Sequence, residues 1–237
     1  MDTNQWYIEP LSPVRKIISK TMSASLANSA QLTFNTSFDS SSVISFRKAQ
    51  KEAASEHGQT SASDRGLIAA SFTDIIIYAV SRTILNHKAL NAHFLDNNTM
   101  KIFREANIAV AVDTPRGLLV PTIFGASSMS LSQISEESKR LQGLCAQGRI
   151  DPGLLRDASF TVSSLGAMGI ESFSPILNPP QTGILGVCST VERMKNGVSY
   201  PATGLSLTFD HRALDGADAA RFLQDLVSYL EDFTGTE

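Results

Sequence analysis

The sequence predicts an α/β fold in which a mixed sheet is covered by helices, and three observations lead there. Leu205, Leu207 and Phe209 alternate with Ser206, Thr208 and Asp210, the period-2 pattern of a half-buried strand. Directly afterwards Ala219, Phe222, Leu223, Leu226, Val227 and Leu230 recur at the spacing of one helical face. Strand-like and helix-like stretches alternate along the rest of the chain without an internal repeat, as in a layered α/β domain.

Taken in order, Ser12-Pro13 places an N-cap residue before a proline at the first helical position. Val14, Ile17, Ile18 and Met22 supply the apolar stripe, so the first helix starts near Pro13. A second helix is predicted over 42–56, a polar loop over 57–65 and a third helix over 73–86. Ile108, Val110 and Val112 form an apolar strand that enters the turn Thr114-Pro115-Arg116-Gly117. Residues 118–123 return as a second strand, which makes a hairpin. Ser130 and Gln133 form a capping box for a helix carrying Ile134, Leu141 and Leu144 that stops by Gly148. Residues 160–164, 183–188 and 205–209 complete the strands.

A chain of 237 residues, 42% of them hydrophobic, can bury a sizeable core. The expected organisation is a tail over 1–9, too short to fold alone, and one domain over 10–237. A net charge of -3 gives no reason to expect nucleic-acid binding. No apolar run is long enough to span a bilayer, and Met1-Asp2-Thr3-Asn4 lacks the charged and apolar regions of a signal peptide. Cys145 and Cys188 lie in no metal-ligand spacing, so no metal is expected, and a reducing compartment, cytoplasmic or the mitochondrial matrix, fits best.

The stretch Phe209-Asp210-His211-Arg212-Ala213-Leu214-Asp215-Gly216 carries the chemistry. It puts His211 at a strand-to-helix junction, continuing the apolar face of the strand, with a carboxylate four residues on. An imidazole held there can act as a general base near neutral pH. His57, His87 and His93 fall outside the strongest motifs and read as solvated or structural.

These eight residues resemble the His-x-x-x-Asp-Gly signature of chloramphenicol acetyltransferase and the dihydrolipoamide acyltransferases. The longer Asp-His-Arg-x-x-Asp-Gly-Ala-Asp form, running into Ala220-Arg221-Phe222-Leu223, is similar to the acyltransferase core of 2-oxoacid dehydrogenase complexes. A second block begins at Phe160-Thr161-Val162-Ser163-Ser164-Leu165-Gly166 and continues through Phe173-Ser174-Pro175 and Asn178-Pro179-Pro180-Gln181 to Ile184-Leu185-Gly186-Val187. A third, Ala109-Val110-Ala111-Val112-Asp113-Thr114-Pro115-Arg116-Gly117-Leu118-Leu119-Val120-Pro121, resembles the family's Gly-Leu-x-Val-Pro segment. Leu90-Asn91-Ala92 and the basic stretch at Arg15-Lys16 fit as well, so the similarity runs from about Pro10 to Asp232.

The resemblance implies a chloramphenicol acetyltransferase-like, trimeric fold and acyl transfer between a dihydrolipoyl thiol and coenzyme A. A thiol with a pKa near ~8.5 is mostly protonated at neutral pH, so a base must take its proton as it attacks a thioester. His211 matches the family's base and Ser163 the hydroxyl donor to the oxyanion. Asp215 could orient the imidazole or brace the loop against an arginine, the brace being favoured and Arg15 one candidate partner. His211 and Ser163 would then meet only between chains of a homotrimer. Acyl specificity stays open, acetyl being the common default. A non-catalytic core protein and a free-standing acetyltransferase acting on a small acceptor are the alternatives.

Coenzyme A is thus expected as a substrate and other complex components as partners, with the lipoyl group on a separate or missing domain, since nothing before Pro10 resembles one. Two departures from the family pattern stand out. Ala30-Gln31 occupies the place where the family usually shows a proline and a histidine. The chain also ends in Phe233-Thr234-Gly235-Thr236-Glu237, polar except for Phe233, which predicts a trimer that assembles poorly into a larger shell.

Overall fold

The computed structural model describes residues 6–56, 69–95, 99–115 and 117–235. The polar loop expected at 57–65, with His57, and Arg116 of the expected turn lie outside them. Ser12 caps the first helix, α1 (Pro13–Asn28), its hydroxyl accepting from the Arg15 N–H at 3.2 Å. The next elements are strand β1 (Gln31–Asp39), helix α2 (Ser41–Glu56) and helix α3 (Phe72–Thr83), which tightens into a 3₁₀ turn over Ile84–Asn86. Short strands β2 (Ala92–Phe94) and β3 (Met100–Ile102) pair with each other outside the main sheet. Strands β4 (Ile108–Val110) and β5 (Thr122–Ile123) precede helix α4 (Leu131–Ala146), on which Ser130 and Gln133 form the expected capping box.

Strands β6 (Phe160–Ser164), β7 (Gly183–Lys195) and β8 (Val198–Asp210) lead into helix α5 (Gly216–Glu231). The main sheet runs β1-β8-β7-β6-β4-β5. Its β4-β6 and β6-β7 pairs are parallel and the others antiparallel, so the sheet is mixed, as expected. One face carries the core. Phe160, Val162, Leu185, Leu207 and Phe209 pack with Ile76 and Val80 of α3 and with Phe222 and Leu226 of α5. Phe222 stands edge-on to the His87 ring and tilted against Phe160, which locks α5 over the sheet.

The other face of β8 corrects the half-buried expectation, because Ser206, Thr208 and Asp210 are as buried as the apolar residues between them. Their polar groups are satisfied across strands: Thr208 with Thr33 at 2.7 Å, and Ser206 donating to the Asn35 side-chain oxygen at 2.7 Å. A buried hydroxyl that keeps its hydrogen bond loses little on leaving water, so such a strand can look amphipathic and lie wholly inside.

Strands β7 and β8 run well past the predicted 183–188 and 205–209. A register irregularity between Val187 and Thr190 breaks the period-2 pattern, which hides the continuation from sequence. The distal end closes at Asn196-Gly197, both with left-handed φ (52° and 81°), a two-residue hairpin turn that the Asn-Gly pair itself signals. The 108–123 hairpin is shorter than expected. Beyond β4 and β5 it holds the Val112–Leu119 bridge and a bond from the Val110 N–H to the Pro121 carbonyl at 2.9 Å, and Pro121 has no N–H to return that bond as a regular ladder would. Strands β1, β2 and β3 were not among those predicted.

Candidate active site

His211 opens the turn between β8 and α5, where its N–H donates to the Ala30 carbonyl at 2.8 Å. Its ring lies against Phe209 at 5.7 Å between centroids, and its side chain is 44% exposed, enough for one nitrogen to meet a substrate. The imidazole Nδ1 approaches an Asp215 carboxylate oxygen at 3.9 Å. Asp215 occupies the N-cap position of α5 without a side-chain cap bond and is 84% exposed. Within this chain its ion-pair partner is His211, and Arg15 is not beside it.

The carboxylate-arginine pair of the loop falls one turn earlier. Asp210, only 2% exposed, accepts from the Arg212 N–H at 3.1 Å, Nε at 2.9 and 3.1 Å, and Nη2 at 2.6 Å. It also accepts from the Ala30 N–H at 3.3 Å. Burial pushes the Asp210 carboxyl upward, but the hydrogen bonds and charge of Arg212, with the Ala30 N–H, outweigh that and hold it below the usual carboxylate range. In the sequence the pair shows only as an Asp and an Arg flanking the histidine.

Asp210 and Arg212 line a cavity of about 390 Å³ beside the His211 turn. Its walls are Asn28 and Ser29 at the end of α1, Phe94 with the Arg212 guanidinium 4.3 Å over its ring, and Pro180-Gln181. Gln31 ties this wall together. Its amide nitrogen donates to Ser25 and Ser29 hydroxyls at 3.0 and 2.9 Å, and its oxygen accepts from the Leu177 N–H at 3.1 Å. A second cavity, about 420 Å³, opens on the helix side near the ends of β4 and β6 and includes Asp74, Asp113, Lys139 and Ser164. Two carboxylates against one ammonium make that lining unfavourable for an anionic group.

Ser163 lies in β6, half-buried, on the polar face of the sheet, whereas Ser164 points to the helix side. Ser163 pairs with Gly186 in β7, where an added Cβ would stand 2.6 Å from the Phe173 ring, and Gly186 pairs with Ser206 in β8. Ser163 is therefore two strands from β8, about 10 Å, and five residues along it from His211, about 17 Å, roughly 19 Å between Cα atoms. One chain does not bring the two residues together.

His93 is buried and bonded through Nε2 to the Ala158 carbonyl at 2.7 Å, while His87 pairs with Asp225 at 2.8 Å; both are structural. Cys145 and Cys188 are buried free thiols. Among the described residues no group of three or more His, Cys, Asp or Glu could hold a metal, and no helix is long and apolar enough to cross a membrane.

Residues 3–236 match the model of the 2-oxoacid dehydrogenases acyltransferase (catalytic domain) family. The chain belongs to this family. It is similar to the dihydrolipoyllysine-residue acetyltransferase component of the Bacillus subtilis acetoin cleaving system, 34% identical over 94% of the chain and 55% of that protein. The acyltransferase chain spans about half the length of the curated relatives it matches first. Among solved structures it resembles Azotobacter vinelandii dihydrolipoamide acetyltransferase, with a TM-score of 0.88 at 28% identity over 97% of this chain and 93% of that one. Chloramphenicol acetyltransferase shares the fold, with a TM-score of 0.50 at 14% identity over 84% and 85% of the two chains. The sequence-based fold class and family resemblance therefore stand.

Proposed function

We propose that this acyltransferase domain moves an acyl group, acetyl by default, between coenzyme A and a dihydrolipoyl thiol as the core of a 2-oxoacid dehydrogenase complex. The observation that carries the reading is the half-exposed imidazole at the β8-α5 junction of a chain that belongs to this family. With Nδ1 turned toward Asp215, Nε2 is the nitrogen left to take a proton from the attacking thiol. The thiolate adds to the thioester carbonyl, the oxyanion accepts from the Ser163 hydroxyl, and collapse expels the second sulfur, which recovers the proton from His211. No covalent acyl-enzyme forms.

Two neighbouring chains of a homotrimer complete the site, one supplying His211 and the other Ser163. The separation of roughly 19 Å within a chain supports this, because it exceeds what two short side chains bridge. The Azotobacter vinelandii enzyme was solved in an investigation of a serine, a histidine and an asparagine in its catalytic mechanism, the asparagine four positions beyond the histidine. Asp215 stands at that spacing here. A neutral amide at the corresponding spacing in that enzyme supports a holding role for Asp215 rather than one requiring its charge. The lipoyl group belongs to a domain outside these residues, and the other complex components are its partners, in a reducing cytoplasm or mitochondrial matrix.

Acetyl transfer from acetyl-CoA to free dihydrolipoamide tests the reading. Turnover is expected in the wild-type chain and a loss of at least ~10²-fold in His211→Ala, the scale of general-base assistance. An inactive wild type, or an active His211→Ala, overturns it.

A further inference from the structure

We infer that Asp210 and Arg212 form a positioning clamp that aims the His211 imidazole. This inference rests on the proposed role of His211 as base. The imidazole itself has a weak hold: its ring nitrogen reaches only a mostly exposed carboxylate at 3.9 Å. Beyond that carboxylate and the Phe209 ring 5.7 Å away, its direction depends on the backbone that carries it, and that backbone is pinned on both sides. Before it, the buried Asp210 accepts from the Ala30 N–H while the Ala30 carbonyl accepts from the His211 N–H, which closes a ring between β8 and the segment before β1. After it, the same carboxylate receives the N–H, Nε and Nη2 of Arg212, and the guanidinium rests on the Phe94 ring.

One buried carboxylate thus ties residues 30, 210 and 212 together, and the backbone of residue 211 between them is held in place. A bidentate guanidinium suits the task because its planar fork meets both carboxylate oxygens at once, which a lysine ammonium cannot do. Neither residue exchanges a proton with the sulfur, so their effect is on geometry. Displacing a catalytic group by about 1 Å costs on the order of 10²-fold in rate.

The test uses the full assembled chain, with acetyl-CoA and dihydrolipoamide as substrates. Asp210→Asn, Arg212→Gln and Arg212→Lys are compared with wild type and His211→Ala, each checked for a native-like thermal transition. Asp210→Asn and Arg212→Gln are expected to lower kcat by ~10- to 100-fold with KM within about twofold, and Arg212→Lys to recover part of the loss. Arg212 is partly exposed, so its variants carry the test if Asp210→Asn fails to fold. Full kcat in Arg212→Gln, or a rise in KM with kcat unchanged, overturns the clamp while an inactive His211→Ala leaves the base intact. If His211→Ala itself is fully active, the proposed function fails instead.

Discussion

Mixing two inactive variants separates a site built between chains from one built within a chain. Ser163 and His211 stand roughly 19 Å apart at Cα along the sheet. Their side chains reach about 7 Å together when fully extended toward each other, which leaves roughly 12 Å. A base on sulfur and a donor on the adjacent carbonyl oxygen need a separation of about half that. His211→Ala and Ser163→Ala chains, unfolded together, refolded and reassembled at equal concentration, distribute at random around a closed ring. An interface is intact when a good histidine meets a good serine, which has a chance of about one quarter whatever the ring size. Acetyl transfer in the mixture should therefore return to about 25% of wild type, against the residual activity of either variant alone. A mixture no more active than its components, with co-assembly verified by tagged chains, would refute the reasoning and place both residues in one chain's site.

Ser163→Ala should lower kcat by ~10²–10³-fold while Ser164→Ala stays near wild type, since the two hydroxyls point to opposite faces of β6; equal losses would sink the assignment. Phe222→Ala should destabilise the chain by about 3–5 kcal/mol in denaturant unfolding, because the ring is fully buried between α5 and the sheet; a change under about 1 kcal/mol would contradict that packing. Gly183→Ala should cost about 1–3 kcal/mol, as the new Cβ would lie 2.5 Å from the Phe160 ring and 2.8 Å from Leu90, both without room to move. Burial, opposed by its bond to the Ala158 carbonyl, lowers the pKa of His93 below 6.5. The neutral form is the stable one in the fold, so its contribution is present above about pH 6.5 and is lost as pH falls through the lower folded value. His93→Gln should flatten that part of the stability profile, and an unchanged slope would count against the buried neutral imidazole.

Most helices were legible because their signals are local. Ser12-Pro13, the Ser130-Gln133 box and the stripe from Ala219 to Leu230 each specify their element within a few residues, and each helix starts within a residue or two of its predicted place. Strands were legible only where one face is apolar and the register unbroken, as over Phe160–Ser164. The distal β7-β8 ribbon escaped because a register irregularity shifts its alternation, although Asn196-Gly197 marked its turn. Strand β1 carries Leu32, Phe34 and Phe38 at period 2 and could have been found the same way.

The candidate site divides along the same line. Sequence by itself determined the family and the fold class and nominated His211, Ser163 and Asp215 as candidate site residues, because these readings depend on residue types at fixed short spacings. The tertiary structure decided which carboxylate holds the loop. Asp210 reads as a solvent-facing strand residue until Ala30, from a strand end 180 positions away, closes over it and leaves Arg212 as its charge partner. It also decided that Ser163 and His211 are far apart in one chain, a fact set by strand order and register. Hydrogen bonds between distant segments fix both, and no short window of sequence contains them.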